Sequence, residues 1–173
     1  MIDIREEVPG DVPAREALLE RCFGAGRHRK TVAKLRRHRL PAEGLALSAH
    51  QDGTLVGTVR LWNIAAGSAG EALLLGPIAV HPERQGHGLG ARLMRRALAE
   101  AAWCGHKSVL LVGDAPYYAR FGFCRPLVQG LVLPGPVEIE RFLGLELVPG
   151  ALSGAEGRIV ATGRKVPRPA IAA

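Results

Sequence analysis

Residues 78–91 run Ile-Ala-Val-His-Pro-Glu-Arg-Gln-Gly-His-Gly-Leu-Gly-Ala and join three kinds of structure without a break. A short apolar strand enters a turn at His81-Pro82. A glycine loop, Gln85-Gly86-His87-Gly88-Leu89-Gly90, follows and opens directly into a helical pattern. The first-turn N–H groups of such a helix lack intrahelical acceptors, and the helix dipole favours negative charge there. Glycines keep side chains away, so a phosphate can reach those amides. Strand, loop and helix N-terminus together make an anion site suited to a phosphorylated ligand.

Three glycine-loop patterns compete. A P-loop needs Gly-x-x-x-x-Gly-Lys-Ser/Thr, and no Lys-Ser or Lys-Thr pair lies near this loop. A dinucleotide fingerprint needs Gly-x-Gly-x-x-Gly and an acidic residue about 20 positions on. Gly86, Gly88 and Gly90 have the wrong spacing, and Asp114 comes too late. The third pattern, Gln/Arg-x-x-Gly-x-Gly/Ala, belongs to acyl-CoA-binding acetyltransferases, and Gln85–Gly90 matches it at every fixed position. Ile78-Ala79-Val80-His81-Pro82 fits the strand leading into that loop. An apolar strand, Ser108 to Val112, follows the helix. Tyr117-Tyr118-Ala119-Arg120-Phe121-Gly122-Phe123 then supplies a Tyr-x-x-x-Gly-Phe element. Through these pieces, which span residues 72–124, the chain resembles the GNAT superfamily of N-acetyltransferases.

The resemblance implies an α/β (α+β) fold: one GNAT-like domain over residues 1–166, followed by a flexible tail at 167–173. It implies a mixed, mostly antiparallel twisted sheet of about seven strands, with a central parallel pair and flanking helices. Acetyl-CoA is the implied co-substrate, with no metal. The backbone from Gln85 through Gly86, His87, Gly88, Leu89 and Gly90 to Ala91 would hold its pyrophosphate. Ile78, Ala79 and Val80 would pair with the amide-rich pantetheine arm, in a gap where strands 78–80 and 108–112 splay apart. A backbone N–H near Val80 would face the developing oxyanion. Tyr118, four residues before Gly122, matches the general acid that protonates the CoA thiolate. Tyr117 is the alternative; it lies about 100° away around a helix, so both cannot point at the sulfur. The acceptor would be a primary amine of a small molecule or peptide, and a homodimer is expected.

No general base is legible. Glu71, Glu138, Glu140 and Glu146 are candidates, each read first as a surface carboxylate. His81 and His87 are read as a turn residue and a loop spacer or phosphate contact. Asp114 is assigned to capping the helix at Pro116, and Trp62 and Trp103 to packing on sheet and helix.

Composition sets the outer limits. A chain of 173 residues with 47% hydrophobic content fits one globular domain. No apolar run reaches the ~20 residues of a membrane span. The charged N-terminus does not resemble a signal peptide, and Cys22, Cys104 and Cys124 fit reduced thiols, so the expected location is cytoplasmic. Net charge is +7, and 8 of the 23 Lys and Arg residues crowd into positions 21–39 without one acid. That segment reads either as a solvated basic face or as an attractor of an acidic partner. Few aromatics are interleaved to stack bases, which disfavours nucleic acid. A non-catalytic acyl-CoA-binding regulator and an RNA-binding or RNA-modifying protein are the rival readings.

Periodicity supplies the remaining elements. A strand is expected over 2–7, then a helix capped by Asp11 and stopped by Gly24. A basic helix should run from Thr31 to Pro41. Strands 45–49 and 55–61 should form a hairpin about Asp52-Gly53. Gly76-Pro77 should put a bulge or gap into a strand over 71–80. The helix after the loop is amphipathic and ends at Gly105. Short helices are expected at 116–121 and 138–142, and closing strands at 143–148 and 158–161.

Overall fold

A computed structural model describes residues 1–168 of the chain. Of the tail expected at 167–173, positions 169–173 lie outside the described residues. The elements in order are β1 (Ile2–Glu6), α1 (Val12–Phe23), α2 (Ala33–Arg36), β2 (Ala46–Gln51), β3 (Thr54–Ala66), β4 (Glu71–Val80), α3 (Leu89–Trp103), β5 (Ser108–Val112), α4 (Ala115–Ala119), β6 (Gly130–Val132), β7 (Phe142–Glu146) and β8 (Glu156–Ala161).

The eight strands form a mixed sheet whose main path is β1-β2-β3-β4-β5-β7, with β8 pairing the far end of β3 and β6 pairing β8. The β2–β3 hairpin turns through Asp52 and Gly53, with φ of 51° and 77°. Positive φ at both central residues matches the right-handed twist of the flanking strands, which is why Asp-Gly sits there. β4 and β5 are parallel and joined by α3, whose apolar stripe, including Leu89, Leu93, Met94 and Ala97, is fully buried. That stripe packs on Leu47, Val59, Leu61, Leu73 and Leu111. The opposite face of the sheet carries Trp62, Ile64, Leu74, Leu110 and Phe142, covered in part by Leu35 of α2. Leu18 and Leu19 of α1 close over Leu55 and Ala79.

One irregularity in β4 organises everything that follows. Ile78 faces Val59 and Leu75 faces Leu61, so Gly76 and Pro77 together oppose the single residue Arg60. The extra residue reverses the alternation of the strand. Before it, Leu73 and Leu75 face α3; after it, Ile78 and Val80 do, while Ala79 turns to α1. The same segment is where β4 leaves β5: their pairing is confined to Leu73–Val109 and Leu74–Leu110. Bulge and gap, posed in the sequence as alternatives, occur together.

Several local expectations are corrected. The described residues form eight strands, close to the expected seven; the one not foreseen is Gly130–Val132, a short strand parallel to β8. The basic helix shrinks to one turn, Ala33–Arg36, preceded by a 3-10 segment at Ala25–Arg29. Its Leu35 and the preceding Val32 pack on the core, but Lys34, Arg37 and His38 are exposed, so little buried apolar surface carries a longer helix. The helix expected at 138–142 is only a 3-10 turn, Ile139–Arg141, and Phe142 opens β7, whose pairing with β5 wins over local periodicity. Asp11 makes no side-chain cap; it accepts from Arg5 and from the Val8 N–H instead. Trp103 does not pack on its helix and is 89% exposed.

Candidate active site

The glycine loop is built as a scaffold of backbone. Gly86 and Gly88 have φ of 79° and 81°, a left-handed conformation that residues with a Cβ adopt only at a cost of about 1–2 kcal/mol. Gly88 precedes the first turn of α3, whose first bonded amide is Arg92 N–H donating to the Gly88 carbonyl. The N–H groups of Leu89, Gly90 and Ala91 therefore have no helical acceptor. Leu89 and Ala91 turn their side chains into the core, so they can meet a ligand only through those amides. Side chains brace the loop from behind. Gln85 Nε2 donates to the Val80 carbonyl at 3.0 Å, and Arg84 Nε donates to Gln51 Oε1 at 2.7 Å. His81 Nδ1 accepts from the Glu83 N–H, and His87 Nδ1 lies 2.9 Å from the Gln85 carbonyl. Both histidines serve the loop's own geometry.

From the loop, the chain order along β4 leads inward through Val80, Ala79 and Ile78 to the bulge. Beyond Leu74 this edge has no strand partner in β5, which leaves room beside it for an extended, amide-bearing ligand; its Val80 and Gly76 carbonyls are already held by Gln85 and Trp62. The tyrosine pair lies across the gap. Their rings meet edge to face, with centroids 4.9 Å apart. The Tyr117 hydroxyl reaches the first turn of α3: a Cβ on Gly90 would sit 3.1 Å from it. The Arg120 guanidinium lies 4.3 Å over the Tyr117 ring and fixes it from outside. Tyr118 turns the other way, and its ring covers Gly113 so closely that a Cβ there would lie 2.3 Å from Cε2. Burial, reinforced by Tyr117, pushes the Tyr118 phenol above its ordinary pKa, against the opposing pull of Arg141. At neutral pH it is a neutral proton donor.

Both tyrosines line a cavity of about 920 Å³ that continues past the bulge. Its far wall is cationic, with Arg15, Arg27, Arg36 and Arg60 from three different parts of the chain. Glu7 is buried between two of them, accepting from Arg15 Nη1 at 2.6 Å and from Arg60. Glu16 takes Arg15 Nη2 at 2.7 Å and Arg27 Nη2 at 2.5 Å. Trp62 donates its indole N–H to the Gly76 carbonyl, which pins the bulge from below. The segment 21–39 is therefore only partly a solvated face, because Arg27 and Arg36 turn into the cavity.

The candidate bases separate. Glu71 lies at the opposite end of β4, beside His106, and does not line the cavity. Glu146 is engaged by the Leu152 N–H, and Glu140 is exposed outside the cavity. Glu138 does line it, as does Asp114, whose side chain makes no helix cap at α4. Sequence reasoning missed Arg36, Trp62, Gly113 and Arg141. Only Gly113, a glycine at the end of an apolar strand, carried a local signal. Among the described residues no three His, Cys, Asp or Glu side chains gather as a metal site, and no helix is long and apolar enough to cross a membrane.

The chain is also similar in sequence and fold to known proteins. The profile described as Acetyltransferase (GNAT) domain matches residues 42–125. The N-acetyltransferase YhbS of Escherichia coli is 29% identical over 157 residues, covering 90% of this chain and 93% of its own. The N-acetyltransferase YjhQ of Escherichia coli is 33% identical over 122 residues, covering 69% and 67%. The crystal structure of YhbS in complex with CoA superposes with a TM-score of 0.76 at 28% identity, covering 93% of this chain and 89% of that one. A GNAT family acetyltransferase of Brucella melitensis, in complex with acetyl-CoA, gives 0.66 at 28% identity, covering 94% and 96%. With its mixed sheet, its parted central strands and a relative 33% identical over two thirds of both chains, this protein belongs to the GNAT superfamily of acetyltransferases.

Proposed function

We propose that residues 1–166 act as one acetyl-CoA-dependent N-acetyltransferase domain, working in the cytoplasm on a primary amine. One observation carries the reading: β4 and β5 part beyond Leu74, directly beside a glycine loop that presents free helix N-terminal amides. The residues fit the cofactor at each of its parts. The amides from Gly86 to Ala91 suit a pyrophosphate, and the unpaired edge over Ile78–Val80 suits the pantetheine amides. The CoA and acetyl-CoA complexes of the two structural relatives support the same ligand here.

Bound in this way, acetyl-CoA supplies an activated acetyl thioester to the acceptor amine. Tyr118 donates its phenolic proton to the departing thiolate, a role for which its raised pKa keeps it protonated. Tyr117, held at the first turn of α3, serves the phosphate end instead. The amine gives up one proton as its bond to carbon forms, and the carboxylates of Glu138 and Asp114 line the cavity to accept it. That proton replaces the one Tyr118 gives up, so the overall exchange is balanced.

Free-thiol release from acetyl-CoA, followed with a panel of amines, tests the activity. The Tyr118→Phe variant should lose about 100-fold in kcat while its acetyl-CoA affinity stays unchanged. An unchanged kcat would remove Tyr118 from the chemistry. Failure of the wild-type protein to bind any acyl-CoA would overturn the assignment as a whole.

A further inference from the structure

The cavity beyond the bulge contains one half-buried cation that, among the described residues, no carboxylate pairs with. Arg15 and Arg60 share Glu7, and Arg27 is held by Glu16. Arg36 is half-buried in the same wall, yet among the described residues its guanidinium has no carboxylate and no hydrogen-bond acceptor. Lys30, Arg37 and Arg141 also line the cavity, but all three are exposed to water. Burial pulls the Arg36 pKa down to about 10, and the charged group next to it, Arg27, is another cation. It is still charged at neutral pH. Arg27 Nε–H makes no hydrogen bond, and its nearest carboxylate oxygen is Glu20 Oε2 at 3.5 Å. A fold that draws a cation partly out of water without a carboxylate partner leaves it open to a ligand that supplies the anion.

The position of Arg36 says what part of a ligand it meets. A Cβ on Gly76 would sit 3.5 Å from Arg36 Nη1, so the guanidinium lies over the bulge, where Trp62 holds the Gly76 carbonyl. Along β4 the order is glycine loop, Val80 to Ile78, then Gly76. Arg36 is thus on the far side of the reacting end from the phosphate site, where the acceptor has to enter. CoA phosphates held at Gln85–Ala91 are at the other end of this path.

We propose that Arg36 is a specificity residue that binds a carboxylate of the acceptor, so that the physiological substrate is an amine bearing a carboxylate, such as an amino acid or a related amino carboxylic acid. The planar guanidinium offers two parallel N–H donors to a carboxylate, a match that an uncharged amine or a polyamine lacks. The inference rests on the N-acetyltransferase reading above and deepens it. A cationic wall also repels polyamines, so it selects against them as well as for acids.

The test uses the whole protein and a matched panel: α-, β- and ω-amino acids, their carboxamides and the corresponding decarboxylated amines, each assayed by thiol release. Acetyl-CoA binding is measured in parallel by calorimetry. At least one amino acid should be acetylated with kcat/KM roughly 100-fold above its amide and its decarboxylated amine. In Arg36→Gln that preference should collapse through KM, while the calorimetric affinity for acetyl-CoA stays within about 2-fold. Arg36→Lys should restore part of the preference, because charge is kept and the fork is lost. Arg36→Gln should melt no lower than the wild type, since it removes an unpaired charge. A lower melting temperature with the preference retained would make Arg36 structural and defeat the proposal. It would equally be defeated if amides or polyamines were used as well as the acids, or if no acid were used while acetyl-CoA binds. Absence of acetyl-CoA binding would instead fail the enzymatic reading beneath it.

Discussion

The two parts of the candidate site, the glycine-loop segment and the cavity beside it, are built on opposite plans. The half at Ile78–Ala91 is contiguous in the chain and works through backbone amides, with side chains turned inward or used as braces. The half beyond the bulge is assembled from Glu7, Arg15, Arg27, Arg36, Arg60 and Trp62, and works through side chains. The first depends on conformation: glycines with left-handed φ and a strand that has lost its neighbour. The second depends on charge balance, with Glu7, Glu16 and Glu20 set against four arginines. A backbone site can be shared by many relatives with unlike acceptors, whereas a side-chain site is free to differ between them.

This division predicts separable damage. The largest effect should follow Gly88→Glu, which adds strain at a φ of 81° and sets a carboxylate against the phosphate site. Acetyl-CoA affinity should drop by at least about 100-fold in calorimetry, from like-charge repulsion of several kcal/mol. Gly88→Ala carries the same backbone strain without the charge and should lose far less, which separates the two causes. Next is Gly113→Ala. The added methyl occupies the space of the Tyr118 ring, with no backbone strain of its own, since Gly113 is not in the left-handed region. Its kcat should fall by roughly 10-fold or more, with acetyl-CoA binding retained, because a displaced acid loses part of a ~10²-fold contribution. A normal kcat in this variant would mean that the ring position is not needed.

Two pH responses distinguish the regions further. The Tyr118 phenol is active in its protonated form and has a raised pKa, so its loss on the basic side starts only above the ordinary value of ~10. A basic limb of kcat in the wild type that Tyr118→Phe also shows, unshifted, would point to another group. The smallest effect concerns the other edge of the sheet. Asp11 bonds Arg5 at 2.8 Å and is pulled down to about 2 by that contact. Its folded pKa is below the unfolded value of ~3.9, so its contribution is complete above about pH 4 and disappears as pH falls through about 2. Asp11→Asn should flatten the acid side of a melting-temperature profile in that window and leave both parts of the site active.

What was legible in the sequence follows the same boundary. The loop, the strand before it and the helix after it are written in consecutive residues, and Gly-x-Gly spacing has few physical uses. The irregularity at Gly76-Pro77 was also readable, because proline cannot donate to a ladder. The hairpin at Asp52-Gly53 was readable because two positive φ values demand such a pair. The arginine wall was not. Positions 21–39 advertised charge, but nothing local distinguishes Arg36, which turns inward, from Arg37, which is exposed. That difference arises from Leu35 docking on the second core and from the bulge in β4, both long-range events. The short strand Gly130–Val132 was hidden for a similar reason, since only its partner β8 makes it a strand. Trp103, read as a packing residue, sits at the last turn of α3 where the sheet no longer reaches it.

The separation of the two halves is tested most directly by titrating acetyl-CoA calorimetrically into the wild type, Gly88→Glu and Arg36→Gln, side by side. Wild type and Arg36→Gln should bind alike, with one acetyl-CoA per chain, and Gly88→Glu should show no heat of binding. Equal loss in both variants, or no binding by the wild type, would contradict a cofactor site built from the backbone of the glycine loop.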